Sequence, residues 1–145
     1  MNIEQAIDSV YGFFKTVWDA NGGGVEVFYD ATPENDSPDD NATTNLVTPH
    51  LVVSADYENT FQSSMGSTGN RRFRRQGSLI VQIRTPRKQG RLTEDQLATI
   101  IFDNMEGECT PEGVVFWRII PLRGFTVGAF RVKQLVIEFE YDEIK

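Results

Sequence analysis

The 145-residue chain has one cysteine, one histidine and no long apolar run, and each shortage closes a class of explanation. A lone Cys109 makes no internal disulfide, which fits a reducing compartment and a fold held by its core. The apolar runs, such as Val114–Trp117, fall far short of the ~20 residues that span a bilayer. Met1-Asn2-Ile3-Glu4 offers neither a basic start nor an apolar stretch, which argues against a secretory signal. His50 has no triad or metal partner near it in sequence, so it reads as a strand-edge residue rather than a catalytic base. Cys109 stands in Glu108-Cys109-Thr110-Pro111, an acidic neighbourhood rather than the basic one a nucleophilic thiol needs.

Phosphate and calcium motifs are missing too. Gly22-Gly23-Gly24 and Gly66-Ser67-Thr68-Gly69 lack the Lys-Ser/Thr of a P-loop and read as a helix stop and a turn. Asp36-Ser37-Pro38-Asp39-Asp40 suggests calcium, but counting from Asp36 the sixth and twelfth places hold Asn41 and Val47, not glycine and glutamate. Asn41-Ala42-Thr43 is a glycosylation sequon, without meaning unless the chain is secreted. The expectation is therefore no enzyme, no cofactor, no metal and no membrane association.

Charge of one sign is absent from two long stretches. Residues 16–70 hold nine acids and no base, and residues 71–91 hold eight bases and no acid. Exposed ion pairs within a monomer contribute only about 0–1 kcal/mol each. Opposite patches on copies meeting head to tail set register and speed encounter. The segregation therefore reads as that of a self-assembling subunit. Candidate interface residues are Arg71, Arg72, Arg74, Arg84, Arg87, Lys88 and Arg91 on the basic side and Asp36, Asp39 and Asp40 on the acidic side. Two other readings of the basic segment stay open: a solvated strand face, or phosphate contact with DNA through Arg72, Arg74, Arg84, Arg87 and Lys88. DNA binding as the main task would bring aromatic stacking or a recognition helix, and neither is evident.

What is present is an ordinary soluble composition, 39% apolar and 24% charged, in a length that suits one domain, residues 1–145. Ile3, Ala6, Ile7, Val10, Phe13, Phe14, Val17 and Trp18 predict an amphipathic helix over 3–20, stopped by the glycines that follow. Val25–Tyr29 predicts a short strand. Asp30–Asn45, with two prolines and five acids, predicts a long solvated loop. His50–Tyr57 alternates as a strand. Over 72–84, Phe73, Leu79, Val81 and Ile83 share one face, while Arg72, Arg74, Gln76, Ser78, Gln82 and Arg84 share the other. Thr85-Pro86 ends that strand. A capping box from Thr93 to Gln96 opens a second helix with Leu97, Ile100, Ile101 and Met105 on its stripe. Val114–Ile120 and Phe125–Tyr141 predict two more strands. In the second, apolar parity switches between Phe130/Val132 and Leu135/Ile137, which predicts a bulge near Lys133. The expected class is α+β: a mostly antiparallel sheet of about five strands with two helices packed on one face.

The stretch Arg75-x-Gly77-x-Leu79-x-Val81-Gln82-Ile83-x-Thr85-Pro86, then a Gly90 loop and an amphipathic helix, resembles the tail terminator, or tail completion, proteins of long-tailed phages. The resemblance extends to the N-terminal helix, the Val27–Asp30 strand and the closing Phe139-Glu140-Tyr141-Asp142. It implies a homohexameric ring at the head-proximal end of the tail tube, which stops tube polymerisation and offers a docking face to the head connector. The implied partners are further copies, the tube protein and a neck protein. DNA would pass only through the lumen, and the location would be the virion, with assembly in the host cytoplasm. Alternatives are a head-closure or other neck or minor tail protein and, from another class, a DNA-binding accessory protein acting through 71–91.

Overall fold

The computed structural model describes residues 1–29, 49–62, 66–87, 91–128 and 130–145. The elements run α1 (Ile3–Asn21), β1 (Glu26–Tyr29), β2 (His50–Gln62), β3 (Arg72–Pro86), α2 (Arg91–Met105), β4 (Val115–Pro121), β5 (Phe125–Val127) and β6 (Phe130–Ile144). They form one six-stranded sheet in the order β1-β2-β3-β6-β4, with β5 also on β6. The class is α+β, as the alternating and three-four patterns predict.

The spine is the antiparallel pair β3 and β6, in unbroken register from Arg72↔Ile144 to Pro86↔Phe130. β2 lies antiparallel on the other side of β3, shifted once between Tyr57 and Asn59. Only β1 departs from the antiparallel pattern, pairing in parallel with β2. Partners in register share a face, so Leu51, Val53, Leu79, Val81, Leu135, Ile137 and Phe139 stand on one side. All are buried there, in one core with Ala6, Val10, Phe14 and Trp18 of α1 and Leu97, Ala98, Ile101 and Met105 of α2. Both helices therefore cover the same face.

Local chemistry places α1. Asn2 Oδ1 accepts from the Gln5 N–H at 2.9 Å and Gln5 Oε1 accepts from the Asn2 N–H at 3.0 Å, a capping box that satisfies two otherwise orphaned donors. At the other end the Gly22 N–H donates to the Trp18 carbonyl at 2.6 Å, and a Cβ on Gly22 would lie 2.4 Å from the Trp18 ring. The same edge of that ring is fixed by Trp18 Nε1 donating to the Val25 carbonyl at 2.9 Å, which sets the turn into β1.

Three local expectations are corrected. Thr93 lies in the first turn of α2, which begins at Arg91, so it is not the cap. Phe125–Tyr141 is not one strand: it folds back at Gly128, φ 57°, giving β5 and β6 and a sixth strand. No bulge interrupts β6 near Lys133. The parity switch arises because both faces are buried at that end, with Phe130 and Val132 covered on the side away from the helices. The expected Asp30–Asn45 loop lies outside the described residues.

Candidate subunit interface

The basic stretch occupies β3, and the sheet carries it directly onto the acidic C-terminal strand. On the face away from the helices, Arg74 stands opposite Asp142, and its Nε donates to Asp142 Oδ1 at 3.0 Å. Arg74 Nη1 lies 3.9 Å from Glu140 and Arg72 Nε 3.8 Å from Asp142. The hydrogen bond and charge of Asp142, with Glu140 behind it, push the Arg74 guanidinium pKa up. On the helix side Arg75 Nε donates to Glu143 Oε2 at 2.6 Å and Nη1 to Thr60 Oγ1 at 3.1 Å. Arg118 of β4 grips Glu138 with two bonds, at 2.6 and 3.1 Å. Charge kept apart along the chain is thus interleaved in space, and Arg72 and Arg74 already have carboxylate partners in their own subunit. The premise that separation in sequence leaves both charges for neighbours fails for these two. A phosphate at Arg72 or Arg74 would have to compete with Asp142 for the same donors.

The other candidates are spread out. Arg71 exchanges backbone hydrogen bonds with Lys145, and its guanidinium lies 5.8 Å from the Phe73 ring centre. Arg84 is buried, its Nη2 donating to Gln82 Oε1 at 2.9 Å. Arg87 is exposed. Lys88, Asp36, Asp39 and Asp40 lie outside the described residues, as does the Arg91 side chain.

His50 differs from the strand-edge reading: it is fully buried at the start of β2, between the rings of Phe28 at 5.6 Å and Phe130 at 5.0 Å. Edge-on packing of this kind is ordinary aromatic core geometry. On the helix-covered face Arg131 of β6 reaches the buried Glu94 of α2 at 2.9 Å, tying the start of that helix to the strand. Cys109 is exposed, in an isolated bridge with Val115. Among the described residues no group of three His, Cys, Asp or Glu is placed to hold a metal, and no helix is long and apolar enough to cross a membrane.

Among the described residues, the two outer edges of the sheet carry features the sequence reading missed. At the β1 edge, α1 and β1 leave a groove of about 640 Å³ lined by Tyr11, Trp18 and Tyr29 and by Asp8, Asp19 and Glu26, with Lys15 the one base. Burial, then Asp19, pushes the Tyr29 hydroxyl up to about 12, so it stays a neutral donor. Gly12 lines the groove from mid-helix. A glycine in the middle of the helix, on the side that carries Asp8 and Lys15, was the available signal.

The opposite edge is β4. Its register on β6 shifts between Phe116 and Arg118, leaving Trp117 as the extra residue of a bulge. Trp117 is 43% exposed, with the Arg118 guanidinium 4.5 Å from its ring centre. Val115, Leu122 and Phe125 are exposed beside it in sequence, so four of the seven exposed large apolar side chains among the described residues fall between 115 and 125. A bulge on an edge strand blunts strand-to-strand addition.

No family model matches the chain, and no curated protein matches it. Among solved structures, a chain of the virion of a native gene transfer agent particle is similar in fold, with a TM-score of 0.50 and 17% identity over 92% of this chain and 92% of that one.

Proposed function

We propose that this chain is a structural subunit of a tailed, phage-like particle, and more closely a tail terminator. The observation that carries the broader reading is the shared fold with a virion chain, which spans nearly all of both chains rather than a common fragment. The narrower reading adds the order of motifs: helix, Val27–Asp30 strand, the Arg75–Pro86 strand, amphipathic helix and closing Phe139–Asp142.

In this reading identical copies meet through two different surfaces, and such a heterologous contact closes a ring when the rotation permits. A hexamer is the expected count. One ring face matches the end of the tail tube; the other does not accept a further tube subunit and presents a docking surface to the neck. Termination then follows from one binding face and one refusing face. An acidic subunit suits a lumen through which DNA slides without adhering. Arg87, Lys88 and Arg91, at the end of the basic stretch, remain candidates for contact with a neighbour or the tube. No catalytic role is assigned to any residue.

Deleting the gene and imaging particles tests this. The expected result is abnormally long tails. Tails of normal length together with heads that leak DNA would move the assignment to head closure. Tight binding of duplex DNA at about 150 mM salt, with a steep salt slope, would move it to a DNA-binding accessory protein.

A further inference from the structure

Among the described residues, neither the groove at one edge of the sheet nor the aromatic ridge at the other is filled or covered by the subunit's own packing. Gly12 weakens a mid-helix position, yet a Cβ there would meet nothing within 4 Å. Among the described residues nothing requires a glycine there, so the helix leaves that side of the groove open. The groove volume of about 640 Å³ lies in the ~300–1,000 Å³ range of sites that enclose a ligand group. Its lining sets the Tyr11 and Tyr29 rings beside Asp8, Asp19 and Glu26, with Lys15 the one base, so acids outnumber bases and a cationic, aromatic occupant is favoured.

The opposite edge presents that occupant. Trp117 and Arg118 form one stacked unit, and tryptophan and arginine are the residue types that most often dominate binding energy at protein interfaces. Arg123, exposed nearby in sequence, adds a second positive group. The bulge at Trp117 breaks the straight run of backbone donors and acceptors, so this edge engages through side chains rather than by adding a strand.

We propose that the Trp117–Arg118 ridge of one copy seats in the α1–β1 groove of the next copy, with Trp117 entering the groove and Arg123 facing Asp8, Asp19 and Glu26, while Arg118 stays on Glu138 of its own subunit and stiffens the ridge. This rests on the reading of the chain as a self-assembling subunit and supplies the contact. The partner is a second copy because the complementary half, opposite in charge, lies on the same chain at the far edge of the same sheet. Groove and ridge are different surfaces, so every copy serves two neighbours and the contact propagates.

Disulfide trapping tests it even when association is transient. In a Cys109→Ser background, Gly12→Cys in the groove and Val115→Cys beside the ridge, which leaves Trp117 in place, are introduced singly and together, and mildly oxidised at high protein concentration. The double variant is expected to give a ladder of trimers and longer species, whereas each single variant stops at a dimer. A control with Gly12→Cys and Ser67→Cys should give no ladder. In parallel, Gly12→Arg, which enters the groove without an internal clash and removes a helix-weakening glycine, should weaken self-association at least tenfold by sedimentation velocity at a melting temperature no lower than that of the unmodified protein. Copies carrying Gly12→Arg and copies carrying Trp117→Asp, when mixed, should form one-to-one dimers and nothing larger. No ladder beyond the control overturns the proposed contact. If the unmodified protein then still sediments as an oligomer, assembly stands and this contact alone falls. If it sediments as a monomer, both fall together.

Discussion

Strands β3 and β6 carry opposite kinds of contact on their two faces. Toward the helices, Leu79 faces Ile137, Val81 faces Leu135 and Gly77 faces Phe139. On the other side Arg74 faces Asp142 and Gln76 faces Glu140. Burial on the first face contributes roughly 1.5–3 kcal/mol per large side chain, against about 0–1 for each exposed ion pair on the second. The contrast extends to register. A one-residue slip would turn every aliphatic side chain to the wrong face. A two-residue slip would keep the faces and could still match charge, setting Arg74 opposite Glu140. The charged face therefore does not fix the register alone. Gly77 does: the Phe139 ring lies where a Cβ would be, 2.7 Å away, and either two-residue slip would set Phe139 against Arg75 or Leu79 instead.

The most damaging change on the apolar face should be Phe139→Ala, which removes a buried ring that touches Gly77 and packs edge-on with Phe116 at 6.4 Å. The expected loss is about 3–5 kcal/mol, and Leu79→Ala or Val81→Ala should cost ~1–5. Urea unfolding measures these, and unchanged midpoints for all three would mean that this face is not the core. Gly77→Ala comes next. Its added methyl would meet both the Phe139 ring and the Asp56 carbonyl at 2.8 Å, for an expected loss of about 1–3 kcal/mol. A neutral result would show that the ring gives way and that the register is held elsewhere.

Much of this contrast was legible. The alternation of Leu79, Val81 and Ile83 with Gln82 and Arg84 named the buried face of β3 correctly, because period two is a local property. The stripe from Ile3 to Trp18 likewise named the face of α1. Pairing is not local, and there the reading failed. Nothing near Arg74 announces Asp142, 68 residues away, so charges counted along the chain looked unpaired when the sheet had already matched them. The same blindness turned Phe130 and Val132 into a supposed bulge: a one-sided parity rule cannot see that Phe28 and His50 cover the second face at that end. The strand at Val25–Tyr29 was read correctly, but its parallel pairing and the two edge features were missed for the same reason, apart from the mid-helix Gly12.

Reversing Arg74 on the charged face should be mild. Arg74→Glu places like charge against Asp142 and Glu140, but the side chain is 38% exposed. The expected loss is ~0–1 kcal/mol, reduced further at high salt. Restoring opposite sign with Asp142→Arg in the same chain should return the midpoint. Should Arg74→Glu unfold the protein outright, the two faces would be far more alike in energy than their burial implies.

The smallest expected effect lies at the margin of the helix-covered side, where polar atoms hold α1 to the loop before β4. Ser9 Oγ is 2.8 Å from Thr110 Oγ1 and 2.9 Å from Glu112 Oε2, and the Val114 N–H donates to Thr110 Oγ1 at 3.1 Å. Hydrogen bonding by Ser9 first, then by its own backbone N–H and Thr110, holds the Glu112 carboxyl below its ordinary value of 4.5. The folded state thus binds the Glu112 proton less tightly than the unfolded chain. Its contribution is fully present above that ordinary value and is lost as pH falls through the lower folded value. Ser9→Ala removes the largest cause, so the variant should lose part of the acid-side slope of stability while matching the unmodified slope between pH 6 and 8. Urea midpoints at half-unit steps from pH 3 to 7 read this directly. A parallel offset at every pH, with no change of slope, would mean that Ser9 acts through packing against Thr110 and that the carboxylate plays no part in docking the helix.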